Sequence, residues 1–331
     1  MAVLVTGCAG FIGMHVARAL LARGETVVGI DNLNDYYDPA LKEARLAELD
    51  RQGGDFTFHC LDFADAAALG TAVNGVEIDR IVHLGAQAGV RYSLESPATY
   101  IQSNLVGHAN ILELARHRQV GHLVYASSSS VYGGGTTLPM SVDQRADRPL
   151  SLYAATKRAD ELLSESYAHL FALPQTGLRF FTVYGPWGRP DMAMWLFTDA
   201  VLAGRPIQLF NHGRMRRDFT FIDDIVSGIL LTLDQPPLAD GREKPGGSHS
   251  AHAIYNIGNS RSEELGRLVT LIEQATGRTA RIDFADMQPG DMVDTFADTS
   301  AIARDTGFAA RTSLDEGVPQ FVTWFRSHYA R

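Results

Sequence analysis

The sequence predicts an α/β fold, a doubly wound parallel sheet followed by a smaller mixed α/β lobe toward the C-terminus. Three observations indicate it. Short apolar runs alternate with helical patterns over the first 130 residues, and a glycine-rich turn joins the first apolar run to the first helical pattern. Beyond residue 180 the alternation weakens. Strands that alternate with helices are typical of βαβ units, in which helices cover both faces of a parallel sheet.

The strands are short apolar runs such as Ala2-Val-Leu-Val5 and Thr26-Val-Val-Gly-Ile30. Strands are predicted in chain order at 2–6, 25–30, 55–59, 80–84, 122–126 and 175–181. Helices are predicted between and after them at 12–23, 39–52, 64–73, 98–118 and 152–171.

The change of character near residue 180 divides the chain into two predicted lobes. Segments rich in Gly, Pro, Arg and Trp interrupt the pattern at 184–190 and 203–217. We predict a nucleotide-binding domain over 1–180, to which the chain returns at 218–233 and 254–260. The remainder of 181–331 is the predicted substrate-binding lobe.

Composition narrows the class of protein. The formal net charge of −9 over 331 residues argues against generic nucleic-acid binding, which needs a basic field. Two cysteines, Cys8 and Cys60, cannot build a disulfide framework. No apolar run reaches membrane-spanning length, and the first residues already form a strand rather than a signal peptide. These observations predict a cytoplasmic protein. The 11 histidines show no metal-ligand spacing, so no metal is expected.

The glycine-rich turn predicts a nucleotide site. Gly7, Gly10 and Gly13 follow the first strand and open the first helix. Glycine there lets the backbone approach a pyrophosphate, which then meets the free N–H groups of the helix N-terminus, as in Rossmann-type folds. The spacing is Gly-x-x-Gly-x-x-Gly rather than the usual fingerprint, and a tight turn without a ligand is the alternative.

Acidic residues after the next two strands suggest which nucleotide is bound. Asp31 follows the second strand, where a carboxylate accepts hydrogen bonds from an adenosine ribose and repels a 2′-phosphate. NAD is therefore favoured over NADP. Asp62 and Phe63, after the third strand, are candidates to border the adenine, and a helix-capping role for Asp62 is the alternative.

Tyr153 and Lys157 are one helical turn apart and lie on the same helix face. A nearby ammonium favours the phenolate, which suits tyrosine for proton transfer. The spacing alone also fits two solvated surface neighbours.

Together with the serine run at 127–130 that precedes Val131-Tyr-Gly133, these motifs resemble the extended short-chain dehydrogenase/reductase superfamily, and within it the NAD-dependent epimerase/dehydratase family. The resemblance implies that Tyr153 transfers the proton and that Lys157 favours its phenolate and holds the nicotinamide ribose. It also implies that Ser128 hydrogen-bonds the reacting sugar oxygen, with Ser129 and Ser130 as further candidates.

The resemblance further implies a set of cofactor contacts from the first half of the chain. These are Gly7, Gly10, Phe11, Ile12, Gly13, Asp31, Asn32, Asp62, Phe63, Leu84, Ala86, Gln87, Asn104, Tyr153 and Lys157.

More closely, the segments 34–42, 85–93 and 180–193 resemble those of UDP-glucuronate 4-epimerases. This implies reversible C4 epimerisation of UDP-glucuronate to UDP-galacturonate, with tightly bound NAD and a transient 4-keto sugar. The rival functions are epimerisation of another UDP-hexose, decarboxylation, and non-catalytic NAD sensing. Related decarboxylases and dehydratases carry an acidic residue before Val-Tyr-Gly. Ser130 stands there in this chain, which favours epimerisation.

For the substrate, the resemblance implies that Arg217 binds the UDP diphosphate, that Gln208 lies beside uracil and that Asp291 binds the uridine ribose. Gln288 stands where many relatives carry arginine. Solvated surface arginines are the alternative for Arg214, Arg216 and Arg217. The candidates for binding the sugar carboxylate are Arg189, which is preferred, and Arg91. Small hydroxyls or backbone amides are the alternative, and Thr182 stands where UDP-galactose 4-epimerases carry asparagine.

The apolar residues of the helices 98–118 and 152–171 predict a homodimer formed through a two-fold four-helix interface. No nucleic-acid or membrane partner is expected.

Overall fold

The computed structural model describes residues 1–287 and 292–330. Seven parallel strands form its central sheet, and five more strands lie outside it. The strands in chain order are Ala2–Thr6 (β1), Thr26–Asp31 (β2), Phe56–Cys60 (β3), Ile78–His83 (β4), His122–Ser128 (β5), Gln175–Phe180 (β6), Thr182–Tyr184 (β7), Pro206–Phe210 (β8), Arg216–Phe221 (β9), His252–Ile257 (β10), Ser262–Glu264 (β11) and Arg281–Ala285 (β12). The large sheet has the order β10-β6-β5-β4-β1-β2-β3.

The apolar strands are continuous runs because both faces of this sheet are covered. Successive side chains of a strand point to opposite faces. Val3 and Val5 therefore pack into the core that holds Phe11 of the first helix, whereas Ala2 and Leu4 pack into the core on the other face.

Helices lie on both faces of the sheet. Their bounds are Phe11–Ala22 (α1), Pro39–Gln52 (α2), Ala66–Ala72 (α3), Tyr92–Glu95 (α4), Pro97–Tyr100 (α5), Gly107–Arg118 (α6), Leu152–Phe171 (α7), Ala193–Ala203 (α8), Ile222–Leu233 (α9), Leu265–Thr276 (α10), Ser300–Thr306 (α11) and Leu314–Tyr329 (α12). The helices α1, α2 and α9 cover one face, and α3, α6 and α7 cover the other. The predicted doubly wound parallel sheet is confirmed.

The helix predicted at 98–118 is not one regular helix. It begins at Pro97, which suits the first turn because proline lacks an N–H, and it contains a π-helical segment at Ile101–Val106 before α6. Short π segments often mark functional positions. This segment carries Asn104, which is 1% exposed and faces the protein interior.

The second lobe is mixed α/β, as predicted. Strands β11, β9 and β7 form a three-stranded sheet, and β12 pairs with β8 in parallel. The chain returns to the large sheet twice after residue 180: α9 packs against α1, and β10 pairs with β6. β9, whose last four residues fall within the predicted return at 218–233, belongs to the small sheet. Within the described ranges, no helix has the length and apolar character to cross a membrane.

Candidate active site

A cleft of about 1000 Å³ lies at the carboxyl ends of the central strands and opens toward the second lobe. In parallel sheets this edge is the usual position of a ligand site. It brings together most of the predicted site residues, namely Gly7, Gly10, Phe11, Ile12, Gly13, Asp31, Asn32, Phe63, Leu84, Ala86, Gln87, Arg91, Ser128, Ser129, Ser130, Tyr153, Lys157, Thr182, Arg189, Gln208 and Arg217. The predicted Asp291 and Gln288 lie outside the described residues.

The glycine turn has the shape that a pyrophosphate needs. Gly7 has a φ of +69°, and a Cβ there would lie 2.8 Å from the backbone nitrogen of Gly85. A Cβ on Gly13 would overlap the carbonyl oxygen of Gly7. Gly10 caps α1 without a side-chain hydrogen bond, which leaves the N–H groups of the first turn for a ligand. The turn therefore fits the pyrophosphate of a dinucleotide.

Asp31 is the last residue of β2 and borders the same cleft. Its two carboxylate oxygens accept the backbone N–H groups of Ala9 at 3.2 Å and Leu33 at 2.9 Å. Burial raises its pKa, while these hydrogen bonds and Lys42 act in the opposite direction. Each carboxylate oxygen has a further lone pair, so Asp31 is suited to accept ribose hydroxyls.

Two of the predicted cofactor residues, Asp62 and Asn104, are not among the residues that line the cleft. The Oδ1 of Asp62 accepts the N–H of Ala64 at 2.8 Å, and α3 is capped by Asp65 instead. Asn104 accepts the N–H of Gln87 at 2.8 Å and donates to the carbonyl of Gln87 at 3.1 Å. Asn104 therefore holds Gln87, which does line the cleft.

The serine run ends β5, and strand alternation separates its members. Ser127 points inward and donates to Glu161 at 2.6 Å. Ser128, Ser129 and Ser130 line the cleft, and the Oγ of Ser128 accepts the N–H of Ser130 at 3.2 Å. Ser127 also borders the cleft, but its hydroxyl is engaged by Glu161.

Tyr153 and Lys157 both face the cleft from the first turns of α7. The Tyr153 ring makes a T-shaped contact with Tyr100, with centroids 6.2 Å apart. The Nζ of Lys157 donates to the carbonyl of Ala126 at 3.0 Å and lies 3.1 Å from Oδ2 of Asp160. Asp160 was not among the predicted residues, although its spacing of three residues from Lys157 on a helix indicates that the two can pair.

The arginines at the far end of the cleft differ in their partners. The Nε of Arg189 donates to Oδ1 of Asp191 at 2.9 Å, and its Nη2 pairs with the other carboxylate oxygen. The Tyr36 hydroxyl also donates to Asp191, at 3.1 Å. The Arg91 guanidinium lies over the ring of Phe210, 4.5 Å from its centroid. The charge of Arg189 is therefore opposed within the protein.

The arginines near β9 also divide. Arg217 lines the cleft and donates to the carbonyl of Arg216 at 2.8 Å. Arg216 instead pairs with Glu264 at 3.1 Å, on the side of β11. Arg214 is exposed and is not part of the cleft lining, so the structure favours Arg217 over its two neighbours.

Arg45, which was not among the predicted residues, connects the glycine turn with the segment before Arg189. It is fully buried, and it donates through Nη1 to the carbonyl of Ala9 at 3.1 Å and through Nη2 to that of Trp187 at 2.7 Å. His15 contacts the neighbouring carbonyl of Pro186 at 3.0 Å. The glycine turn and the segment before Arg189 are thereby tied together. Helical spacing alone cannot show that an arginine is buried here.

No group of histidine, cysteine or carboxylate side chains in the described parts of the chain is arranged to hold a metal ion.

Comparison with known proteins places this site in context. The model of the NAD dependent epimerase/dehydratase family matches residues 3–258. A probable UDP-glucuronate 4-epimerase from Rhizobium meliloti (strain 1021) is 47% identical over 337 residues, which cover 100% of this chain and 98% of the relative. The crystal structure of UDP-glucuronic acid 4-epimerase from Bacillus cereus, in complex with UDP-glucuronic acid and NAD, is similar with a TM-score of 0.86 at 30% identity, covering 99% of this chain and 100% of that chain.

A dTDP-glucose 4,6-dehydratase double mutant from Streptomyces venezuelae, solved with NAD bound, gives a TM-score of 0.88 at 27% identity, covering 100% of this chain and 98% of that chain. Enzymes of different reactions thus share this fold, so the side chains of the cleft must distinguish between the reactions.

Proposed function

Because this chain belongs to the NAD dependent epimerase/dehydratase family, we propose that it interconverts UDP-glucuronate and UDP-galacturonate by inverting C4 of the sugar. It is an NAD-dependent nucleotide-sugar 4-epimerase, and its cofactor is NAD. We propose the identity of the sugar, the roles of the residues and the 4-keto intermediate.

The residues of the glycine turn and of β2 would hold NAD. The N–H groups at the start of α1 would bind the pyrophosphate, and Asp31 would accept the adenosine ribose hydroxyls. Phe63, Leu84 and Gln87 line the same part of the cleft. When bound, NAD supplies a reversible hydride acceptor.

The proton is handled by Tyr153, Lys157 and Ser128. Tyr153 Oη removes the C4 hydroxyl proton as the carbonyl forms and returns it when the alcohol is restored. Ser128 Oγ hydrogen-bonds the same oxygen, and the Lys157 ammonium favours the phenolate of Tyr153. Between the two halves of the reaction the 4-keto sugar rotates and presents its opposite face, so C4 is inverted with no net oxidation.

Among the described residues, no carboxylate lines the cleft beside the serine run, because Glu161, the partner of Ser127, is not part of the lining, and this observation supports epimerisation. Among the described residues that line the cleft, the carboxylates are Asp31 and Asp191. Asp31 accepts two backbone N–H groups at the end of β2, and Asp191 is engaged by Arg189 and Tyr36. A C4 ketone next to a C5 carboxylate loses carbon dioxide readily, and elimination requires a base at C5. The serine run at 127–130 provides no carboxylate that could act as this base.

We propose that hydroxyl groups in and near the serine run bind the sugar carboxylate. Asp191 already opposes the charge of Arg189, which weakens the case for Arg189 as the main partner. Ser129, Ser130 and Thr182 line the cleft on the same side as Ser128. We therefore favour these hydroxyls and neighbouring backbone amides, with Arg189 as a supporting cation.

The UDP group would occupy the opposite end of the cleft. We propose that Arg217, which lines the cleft, binds the diphosphate by charge-assisted hydrogen bonds, and that Gln208 and Phe210, which also line it, lie beside uracil. We assign 1–180, with 218–233 and 254–260, to the NAD-binding domain, and the rest of 181–331 to the sugar-nucleotide lobe.

We also propose a homodimer formed through the helices at 98–118 and 152–171. Ile101 and Val106 on the first of these, and Leu162 on the second, are exposed in the single chain. Exposed apolar side chains on neighbouring helices are typical of a subunit interface.

Incubation of the purified protein with UDP-glucuronate, followed by proton NMR, tests the proposed function. UDP-galacturonate is the expected product, with UDP-glucose turned over far more slowly in a parallel reaction. Accumulation of UDP-xylose or of a 4-keto pentose would contradict epimerisation. The Tyr153→Phe variant is the control for a contaminating activity.

A further inference from the structure

We propose that Asp160 is a positioning residue that sets how strongly the Lys157 ammonium acts on Tyr153, an inference that rests on the roles of Tyr153 and Lys157 in the proposed function. Nothing in the similarity to known enzymes assigns a role to this carboxylate.

Asp160 and Lys157 form a buried ion pair. Asp160 is 1% exposed and Lys157 is 3% exposed, and the carboxylate Oδ2 lies 3.1 Å from Nζ. The carbonyl of Ala126 accepts a second hydrogen bond from Nζ at 3.0 Å. An ammonium has three donors, so these two contacts fix its direction while the group still lines the cleft.

The neighbouring carboxylate on α7 does not share this task. Glu161 pairs with Arg179 from β6, at 2.8 and 2.9 Å, and with Arg158 at 2.7 Å. Two cations thus compensate Glu161, and it does not draw on the charge of Lys157. Asp160 and Lys157 form a separate buried pair beside it.

The remaining titratable groups near the pair carry no charge at neutral pH. Burial lowers the pKa of His108, on α6, to about 3, and it also lowers the pKa of His83, on β4, well below its usual value. Burial raises the pKa of Tyr125, on β5, well above its usual value. Within the described surroundings, Asp160 is therefore the group that opposes the Lys157 charge.

A buried aspartate with an unpaired oxygen is unfavourable for folding if its role is only structural. Its Oδ1 is buried, and no hydrogen-bond partner for it occurs among the described residues. Buried polar atoms of this kind are rare in folded proteins and often have a functional reason. Burial raises the pKa of Asp160 to about 6, although Lys157 acts to lower it.

The sign of the effect on Tyr153 follows from this pairing. Above about pH 6 Asp160 is ionised, and its negative charge offsets part of the field that Lys157 exerts on the phenol. Removing that negative charge while keeping a hydrogen-bond acceptor should strengthen the field. The phenolate of Tyr153 would then form at lower pH.

The Asp160→Asn variant tests this in the NAD-bound enzyme without substrate. The tyrosinate absorbance is titrated with pH in proteins with and without Tyr153→Phe, because the difference isolates one of the 11 tyrosines. We expect the titration midpoint of Tyr153 to fall by about half a pH unit, less than the shift of about one unit or more that a charge in direct contact produces, because Asp160 lies two helical turns along α7 from Tyr153. An unchanged or higher midpoint would overturn the proposal.

Glu165→Gln is the matched control, because Glu165 is a carboxylate on the same helix that pairs with His252 at 2.8 Å and not with Lys157. It should leave the midpoint where it is, and an equal shift in the control would also count against Asp160. If Asp160→Asn does not fold, Asp160→Ser replaces it in the same titration. The readout needs no sugar, so failure of the proposed function on UDP-glucuronate leaves the result interpretable. Where turnover is measurable, the acid limb of kcat/KM should move in the same direction.

Discussion

Replacing Gly13 by alanine should weaken NAD binding while leaving the fold intact. Gly13 lies inside α1, where alanine is ordinarily favoured over glycine by about 1 kcal/mol. Here the added Cβ would overlap the carbonyl oxygen of Gly7 and lie 2.7 Å from its carbonyl carbon and 3.1 Å from the Cα of Cys8. All three are backbone atoms, so no flexible side chain can yield.

The magnitude follows from where the strain falls. Overpacking of a tight site costs about 1 to 3 kcal/mol, and the backbone that must move is the turn that receives the pyrophosphate. At about 1.4 kcal/mol for each factor of ten, the dissociation constant of NAD should rise about ten- to hundredfold. The gain in helix propensity partly protects the stability of the cofactor-free protein.

Isothermal titration of NAD into cofactor-stripped protein measures the effect. Gly70→Ala is the matched control, because Gly70 is also helical, in α3, and a Cβ there would meet nothing within 4 Å. The control should bind NAD normally and unfold at a slightly higher temperature. Normal NAD affinity in the Gly13→Ala protein would refute the assignment of this turn to the pyrophosphate.

Three further perturbations test the roles of other residues, and a fourth tests a pH dependence. Tyr153→Phe should abolish turnover yet bind UDP-glucuronate almost normally by calorimetry; substantial residual turnover would mean that another group moves the proton. Leu162→Glu should shift the protein from dimer to monomer by light scattering, because it places a charge on an exposed apolar surface, and an unchanged mass would place the interface elsewhere. Arg45→Met should lower the free energy of unfolding in urea by at least about 2 kcal/mol because several buried acceptors lose their donor, and an unchanged midpoint would contradict this. A hydrogen bond with His252 lowers the pKa of Glu165 from 4.5 to about 2, so its stabilising contribution is present above pH 4.5 and is lost as the pH falls toward 2. The difference in melting temperature between wild type and Glu165→Gln should therefore shrink over that range, and a constant difference would contradict it.

Local patterns in the sequence sufficed for the strands, the glycine turn and the Tyr153 helix. A short unbroken apolar run is typical of a strand in a sheet that is covered on both faces. The bounds of β1 at Ala2–Thr6 match the prediction. The spacing of Tyr153 and Lys157 specifies a shared helix face whatever lies around it, and both residues do line the cleft.

Contacts between residues that are distant in the chain could not be predicted from such local patterns. The burial of Arg45 depends on the segment around Trp187, more than 140 residues away, and helical spacing on α2 says nothing of it. One partner close in the chain was also not predicted, since Arg189, the preferred candidate for the sugar carboxylate, pairs with Asp191 two residues later. The π segment of Asn104 likewise depends on tertiary packing, because propensities do not encode the extra residue in a turn.

The hydrogen bonds of Arg45 connect the glycine turn with the segment before Arg189, and a connection of this kind can couple the binding of two ligands. One guanidinium fastens the carbonyl of Ala9, in the cofactor turn, and the carbonyl of Trp187, two residues before Arg189. A displacement of either segment deprives the other of its anchor. Linkage is reciprocal, so a sugar nucleotide that orders the segment near Arg189 would raise the affinity for the cofactor by the same factor by which bound cofactor raises the affinity for the sugar nucleotide. In the proposed reaction, in which the hydride returns within each turnover, such coupling would retain the cofactor most firmly while the sugar is oxidised.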